Sequence, residues 1–377
     1  MSKRALAGTE HHPHARMVLE SALLSGSPSH AYLFHGPPGT GKRAAARALA
    51  AELLAEGSPD PDNVRLRVAH GSHPDLTWVV PSGAHVMRVD DVEEPVVAAA
   101  NRTPFEARKR VFVLERVDLM NDEVANRMLK TLEEPAAFVH LILLTSALGR
   151  VLETVVSRCQ LVRFDPLSAE QLTQELLAHG IEAGRATACA RLALGDGERA
   201  RYLASADGEA LRSEVEAFVR HTLAGEETAA DEPWRALLAR AEKRREAAEE
   251  AAAAERAERL ELEPKGRERR SLERELEEAA KREGRRARTA VLDLALDLAA
   301  LSFRDLLCVA EGADEAVLAR DRVDALAAEA RARDPRRLRT AAERCEETRE
   351  SLELNVSEDL ALQALTFRLR RLVGSGG

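Results

Sequence analysis

One stretch, Phe34-His35-Gly36-Pro37-Pro38-Gly39-Thr40-Gly41-Lys42-Arg43, constrains the fold of this 377-residue chain more than any other. Ala31-Tyr32-Leu33-Phe34 ahead of it is a short apolar run of strand type, and Ala44 to Leu54 behind it is an Ala/Leu-rich helix. Strand, glycine-rich loop and helix in that order are the context of a phosphate loop. Its glycines let backbone N–H groups turn toward phosphate oxygens, and the following helix adds partial positive charge there. Lys42 is placed to reach terminal phosphates as a point charge. The nucleotide-binding candidates are therefore Gly36, Pro37, Pro38, Gly39, Thr40, Gly41, Lys42 and Arg43. The bland alternative is a glycine-rich turn that binds nothing.

The loop departs from its pattern at one position. A Ser or Thr should follow the lysine, because its hydroxyl ligates Mg²⁺. Here Arg43 stands there, and a guanidinium does not bind a metal ion. The motif argues for a nucleotide-binding fold and against hydrolysis.

The rest of the chain reads as alternating strands and helices. Asp75–Val80, Arg110–Leu114, His140–Thr145 and Gln160–Phe164 are further strands. Helices are expected at Met17–Leu24, Val89 to about Asn101, Asn121–Glu134 (stopped by Pro135) and Leu152–Val156, with a polar loop over Glu56–Pro74. This alternation predicts a doubly wound parallel sheet with its site at the strand C-terminal ends. Glu115 and Arg116, at the end of the third strand, occupy the place where a nucleotide hydrolase carries a metal-holding acid and a water-activating acid. Arginine stays protonated and cannot act as that base. Arg43 and Arg116 thus oppose ATP hydrolysis independently. Thr145 and Ser146 end the fourth strand as polar, sensor-like groups.

Composition sets the outer bounds. A formal net charge of −9 excludes a generally basic nucleic-acid coat, so any DNA contact must be local. The four cysteines, Cys159, Cys189, Cys308 and Cys345, form no C-x-x-C pair, which fits neither a disulfide frame nor a zinc module. His11, His12 and His14 lack a carboxylate or cysteine at ligand spacing and read as a helix start on a mobile N-terminus. No signal peptide or long apolar run is evident, so a soluble, cytoplasmic protein without membrane contact is expected.

HAYLFHGPPGTGK (30–42), GSHPDL (71–76), NDEVANRMLKTLEEP (121–135) and VVSRC (155–159) resemble the clamp-loader branch of the AAA+ ATPases. The likeness covers about residues 8–205 well and the rest by architecture only. It implies an AAA+ sheet domain over 1–166, a helical lid over 167–206 and an all-α collar over 207–373. In that family the arginine of the SRC run is a finger inserted into the ATP site of the neighbouring subunit, which makes Arg158 the candidate catalytic group in trans. Gly195–Ala200 resembles the sensor-2 region, with Arg199 as its arginine and Arg201 as the other register. Related motor subunits carry a four-cysteine zinc module before GSHPDL, whereas residues 55–72 hold no cysteine, so no zinc is expected. The implied partners are delta and gamma/tau subunits in a ring of five, the sliding clamp, and primer–template DNA through the complex.

One region lies outside that pattern. From about Trp234 to Arg288 the chain is dominated by Ala, Glu, Arg and Lys, with Glu-Pro-Lys-Gly at 263–266. It reads as a charged, coiled-coil-like helical hairpin inserted over 230–288, whose apolar seam (Leu260, Leu262, Leu272, Leu276) is sparse. Globular helices resume at 289 and are expected at 315–332, 335–350 and 356–372. Lid helices are expected near 169–179, 182–194 and 197–205. The functional expectation is a supporting clamp-loader subunit in which nucleotide binding without turnover stays open. An active motor ATPase of the same loader and a pure interaction scaffold are the rivals. No paired-carboxylate palm motif is present, so a polymerase label would belong to the whole complex.

Overall fold

The computed structural model describes residues 6–83, 86–225, 232–261, 267–331, 333–352 and 356–374. The chain divides into two compact units: residues 1–172 with 194–199, and residues 173–193 with 200–377.

The first unit is built on five strands: β1 (Ala31–His35), β2 (Leu76–Val79), β3 (Arg110–Leu114), β4 (Val139–Thr145) and β5 (Gln160–Arg163). All pairs are parallel and the order is β2-β3-β4-β1-β5. The apolar runs make such a sheet possible, because both faces must be covered. Leu33, Phe112, Leu114, Leu141 and Leu143 enter one core, whereas Tyr32, Phe34, Val111, Val113 and Ile142 enter the other. Helices α1 (Pro13–Leu24), α2 (Lys42–Ala55) and α3 (Pro61–Ala69) cover the second face, and α4 (Asp122–Glu133) and α5 (Glu153–Val156) cover the first. In α4, Val124, Met128 and Leu132 repeat at helical spacing and are all buried. Asn121 caps its start by accepting from the Val124 N–H at 3.0 Å. The expected doubly wound parallel sheet is present, and β1 sits where the strand order reverses. The loops after β1 and β4 open there, which is where such sheets place their sites.

Three local expectations are corrected. The loop over Glu56–Pro74 contains α3: Asp60 caps it through the Asn63 N–H, Pro61 fits its first turn, and Val64 and Val68 are buried. The expected α-helix from Val89 to Asn101 is instead a 3₁₀ turn, Val89–Asp91, and one wide π turn, Glu93–Ala98. Pro95 brings no N–H, and the Val92 carbonyl accepts from both Val96 (3.1 Å) and Val97 (2.9 Å). The N-terminal histidine run is no loose end either. His12 is buried with its ring 4.9 Å from that of Phe164, and burial lowers its pKa.

Helices α6 (Ala169–Ala178), α7 (Ala183–Leu192) and α8 (Gly197–Ala204) follow β5 close to their expected positions. The second unit continues with α9 (Ala206–Ala224), α10 (Trp234–Glu261), α11 (Arg267–Ala310), α12 (Val323–Ala330), α13 (Pro335–Leu352) and α14 (Glu358–Val373). Helix α11 runs 44 residues without a break, so the hairpin's second arm and the first globular helix after 289 are one element. Its C-terminal half buries Leu292, Leu296, Ala299, Phe303 and Leu306 on one stripe against α9 and α13. Its N-terminal half lies along α10, where Gly284 leaves room for the Glu249 side chain. Arg245 pairs with Glu242 and Glu249, and Arg288 reaches Glu242 and Glu358. The Glu-Pro-Lys-Gly turn lies outside the described residues. The helix expected over 315–332 shortens to α12, preceded by 3₁₀ turns at Asp314–Ala316 and Arg320–Arg322. Asp305 explains that shape, because its buried carboxylate accepts the N–H groups of Leu318 and Ala319 and pins them as a turn.

Among the described residues no helix is long and apolar enough to cross a membrane, and no cluster of His, Cys, Asp and Glu could hold a metal ion. The four cysteines are free.

Candidate functional site

The loop after β1 adopts the backbone that its glycines permit. Gly36, Gly39 and Gly41 all have positive φ. A Cβ on Gly36 would lie 1.9 Å from the Phe164 carbonyl oxygen, and one on Gly39 would lie 1.6 Å from Asp196 Oδ1. The first approach, onto backbone, requires glycine, and the positive φ at Gly39 favours it there. The second is informative, because Asp196 belongs to the short run after Leu194 that returns to this unit. Gly197 N–H donates to the Gly39 carbonyl at 3.1 Å, so this run is hydrogen-bonded onto the loop.

Lys42 is turned inward. Its Nζ donates to the carbonyls of Gly36 and Pro37 and to Thr40 Oγ1, and its side chain is buried. Burial lowers its pKa to about 8, against the opposing pull of Asp196, Glu198 and Asp118. These three carboxylates favour the charged form of a group that a phosphate would otherwise claim.

Arg43 and Glu115 meet. Arg43 Nε lies 2.8 Å from Glu115 Oε1, and Trp78 Nε1 donates to the same oxygen at 2.6 Å. Arg47 lies 4.9 Å from the Trp78 ring centroid and covers its face. Arg43, which follows the loop lysine, has thus paired with Glu115, which follows β3. A guanidinium already neutralises Glu115, and these residues do not fit a magnesium ion. Arg116 is exposed and left-handed, with φ 52°. A non-glycine residue there costs about 1–2 kcal/mol.

Thr145 and Ser146 separate. Thr145 is buried, donates to Asp118 Oδ1 at 2.7 Å and accepts the Ala147 N–H at 3.0 Å, while Ser146 is exposed. Arg199 is half-buried, and its backbone N–H donates to Asp196 Oδ1 at 2.9 Å. Arg201, the other register, pairs with Glu175. Sequence reasoning singled out none of Trp78, Asp118 and Asp196 as site residues, although all three bind or oppose the groups it chose.

The second candidate site is the turn after α5. Val155 is buried and anchors it, and Arg158 and Cys159 continue it through N–H bonds to the carbonyls of Val155 and Val156, each 3.2 Å. Arg158 is exposed. Its Nε donates to Glu133 Oε1 at 2.7 Å, its Nη2 contacts the same oxygen, and its Nη1 donates to the Thr154 carbonyl at 2.7 Å and to Ser157 Oγ at 3.2 Å. Burial pushes the neighbouring Cys159 thiol up to about 12, so it stays a neutral packing group.

Comparison with known proteins adds to this geometry. Residues 11–168 match the family model described as DNA polymerase III, delta subunit. The DNA polymerase III subunit delta' of Bacillus subtilis is 32% identical over 173 residues, covering 45% of this chain and 52% of that protein. That of Pseudomonas aeruginosa is 36% identical over 159 residues, covering 41% and 48%. The sheet domain is similar in sequence to DNA polymerase III delta-prime subunits. The resemblance read from the phosphate loop, the KTLEEP run and the SRC run is borne out for this domain as a likeness to DNA polymerase III subunits. The chain spans about half the length of these curated relatives. The B. subtilis subunit tau is also similar, at 34% identity over 158 residues, 40% of this chain and 27% of that protein.

Proposed function

We propose that the chain is a delta-prime-type subunit of a DNA polymerase III clamp loader, and that it supports the motor rather than being one. It would stand in a heteropentamer with delta and gamma/tau subunits that opens the sliding clamp and places it on primed DNA. We assign it three parts: an AAA+ domain over 1–166, a lid over 167–206 and a collar over 207–373 interrupted by the charged insertion at 230–288.

The observation that carries this reading is the contrast in where cationic side chains stand. Both positions that hydrolysis needs are arginine: Arg43 pairs with Glu115, and Arg116 faces solvent. Arg158 stands exposed on the SRC turn, as a planar, permanently charged donor for a neighbour's triphosphate must. The chain's own loop is best read as a structural relic of nucleotide binding. Asp196 lies against Gly39, and Lys42 is satisfied by loop carbonyls, so ATP with magnesium is poorly accommodated there.

The role of such a finger is electrostatic. It meets charge that builds on the transferring phosphoryl group, and arginines of this kind contribute about 10³–10⁵ in rate. The test is ATP turnover by the loader reconstituted with this chain, in the presence of clamp and primed DNA. Arg158→Ala should lower turnover at least about tenfold. The isolated chain should hydrolyse no ATP above background; measurable hydrolysis would instead favour the motor reading.

A further inference from the structure

We infer that Glu133 is a positioning residue for Arg158: its carboxylate holds the guanidinium against the chain's own surface until a neighbouring subunit's triphosphate displaces it. The inference rests on the finger reading above and adds to it a residue that is not itself part of the SRC run.

A guanidinium has five N–H donors. At Arg158, Nε–H and one Nη2 N–H go to Glu133 Oε1, and the two on Nη1 go to the Thr154 carbonyl and Ser157 Oγ. One Nη2 N–H is left. Bidentate capture of a phosphate needs two parallel N–H bonds, so at least one existing bond must be released. Thr154 and Ser157 belong to the finger's own turn and travel with it. Glu133 belongs to α4, a separate element, and it is the only anion in the set. A carboxylate and a phosphate cannot share one edge of a guanidinium without repelling each other. Glu133 is the partner that leaves.

The helix dipole of α4 does not favour Glu133. It is the last residue of that helix, where unpaired carbonyls already concentrate partial negative charge, and Glu134 follows it directly. The acids that suit the helix, Asp122 and Glu123, are in its first turn. A carboxylate at the C-terminal end works against the helix unless a cation meets it, and Arg158 is that cation. The side chains are 32% and 47% exposed, so the pair is screened by solvent and weak enough for a polyphosphate to outcompete.

The experiment measures KM for ATP and kcat of the reconstituted loader with the full-length wild-type chain, Glu133→Gln, Arg158→Ala and the double variant, each at low and high salt. Glu133→Gln should lower KM about two- to fivefold with kcat little changed, because the competing anion is gone. The difference from wild type should shrink at high salt, and it should vanish in the Arg158→Ala background. A merely structural role would move neither the salt dependence nor the coupling. If Arg158→Ala collapses turnover but Glu133→Gln leaves KM unchanged or raises it, the latch is wrong and the finger stands. A lowered KM that persists without Arg158 also overturns it, because Glu133 would then act through another group. If Arg158→Ala leaves turnover unchanged, finger and latch fall together. Unaltered circular dichroism and ring assembly of Glu133→Gln exclude a folding defect.

Discussion

Two cationic side chains, Lys42 of the loop after β1 and Arg158 of the turn after α5, sit in the same sheet domain and are held in opposite ways. Lys42 is buried in its loop, satisfied by two carbonyls and a hydroxyl, and faced by three carboxylates. Arg158 stands at the surface on a short turn, held by one exposed carboxylate and by its own segment. The loop lysine is tied into the fold, whereas the Arg158 guanidinium stands at the surface. Retention of a motif therefore says little about its use until the partners of its charged groups are known.

If the loop is structural, crowding it should unfold the domain while trimming Arg158 should not. Gly39→Val places a branched side chain at φ 65° and against Asp196, and should destabilise by roughly 2–4 kcal/mol in a denaturant titration. Arg158→Ala removes an exposed pair and should cost less than about 1 kcal/mol in the same assay. Similar losses at both sites would break the comparison.

The buried lysine supplies a pH signature. Its folded pKa of about 8 lies below the ordinary lysine value of 10.5, so the unfolded chain holds this proton more tightly than the fold does. The cost of the charged form is fully present below pH 8 and disappears as pH rises from 8 toward 10.5. Relative to Lys42→Met, the wild type should therefore gain on the order of 1–3 kcal/mol between pH 7 and pH 10.5. A pH-independent difference would show that Lys42 is solvated and that the loop is open.

The smallest effect is expected at Arg43. Arg43→Ser restores the metal-ligating hydroxyl but should change stability by only about 0.2–1 kcal/mol, because Arg43 is largely exposed. ATP hydrolysis by the isolated variant should stay at background, since Arg116 still cannot activate water. A gain of hydrolysis would mean that a single residue separates this chain from a motor.

Much of the sheet domain was legible because its strands are apolar runs with no competing period. Helix α3 was not, because Val64 and Val68 are its only buried apolar residues in a polar stretch and its start depends on the Asp60–Asn63 cap. Pro95 marked a disturbance, but the wide turn it produces depends on which carbonyl the following N–H groups find. Helix α11 continues past 288 because nothing between Gly284 and Val291 stops it, and Gly284 is used for packing rather than as a breaker. At the site, the substitutions at positions 43 and 116 could be read from residue chemistry alone. Their consequences could not: Arg43 meets Glu115 across 72 positions, Trp78 meets Glu115 across 37, and Arg158 meets Glu133 across 25. Those pairings exist only once the parallel sheet has brought the strand ends together.

The measurement that tests the central claim most directly is clamp- and DNA-stimulated ATP turnover of the reconstituted loader with wild-type chain and with Arg158→Ala. A fall of about tenfold or more, with the ring assembled, is the predicted result. Unchanged turnover in an intact ring would contradict it and leave this chain a passive member of its assembly.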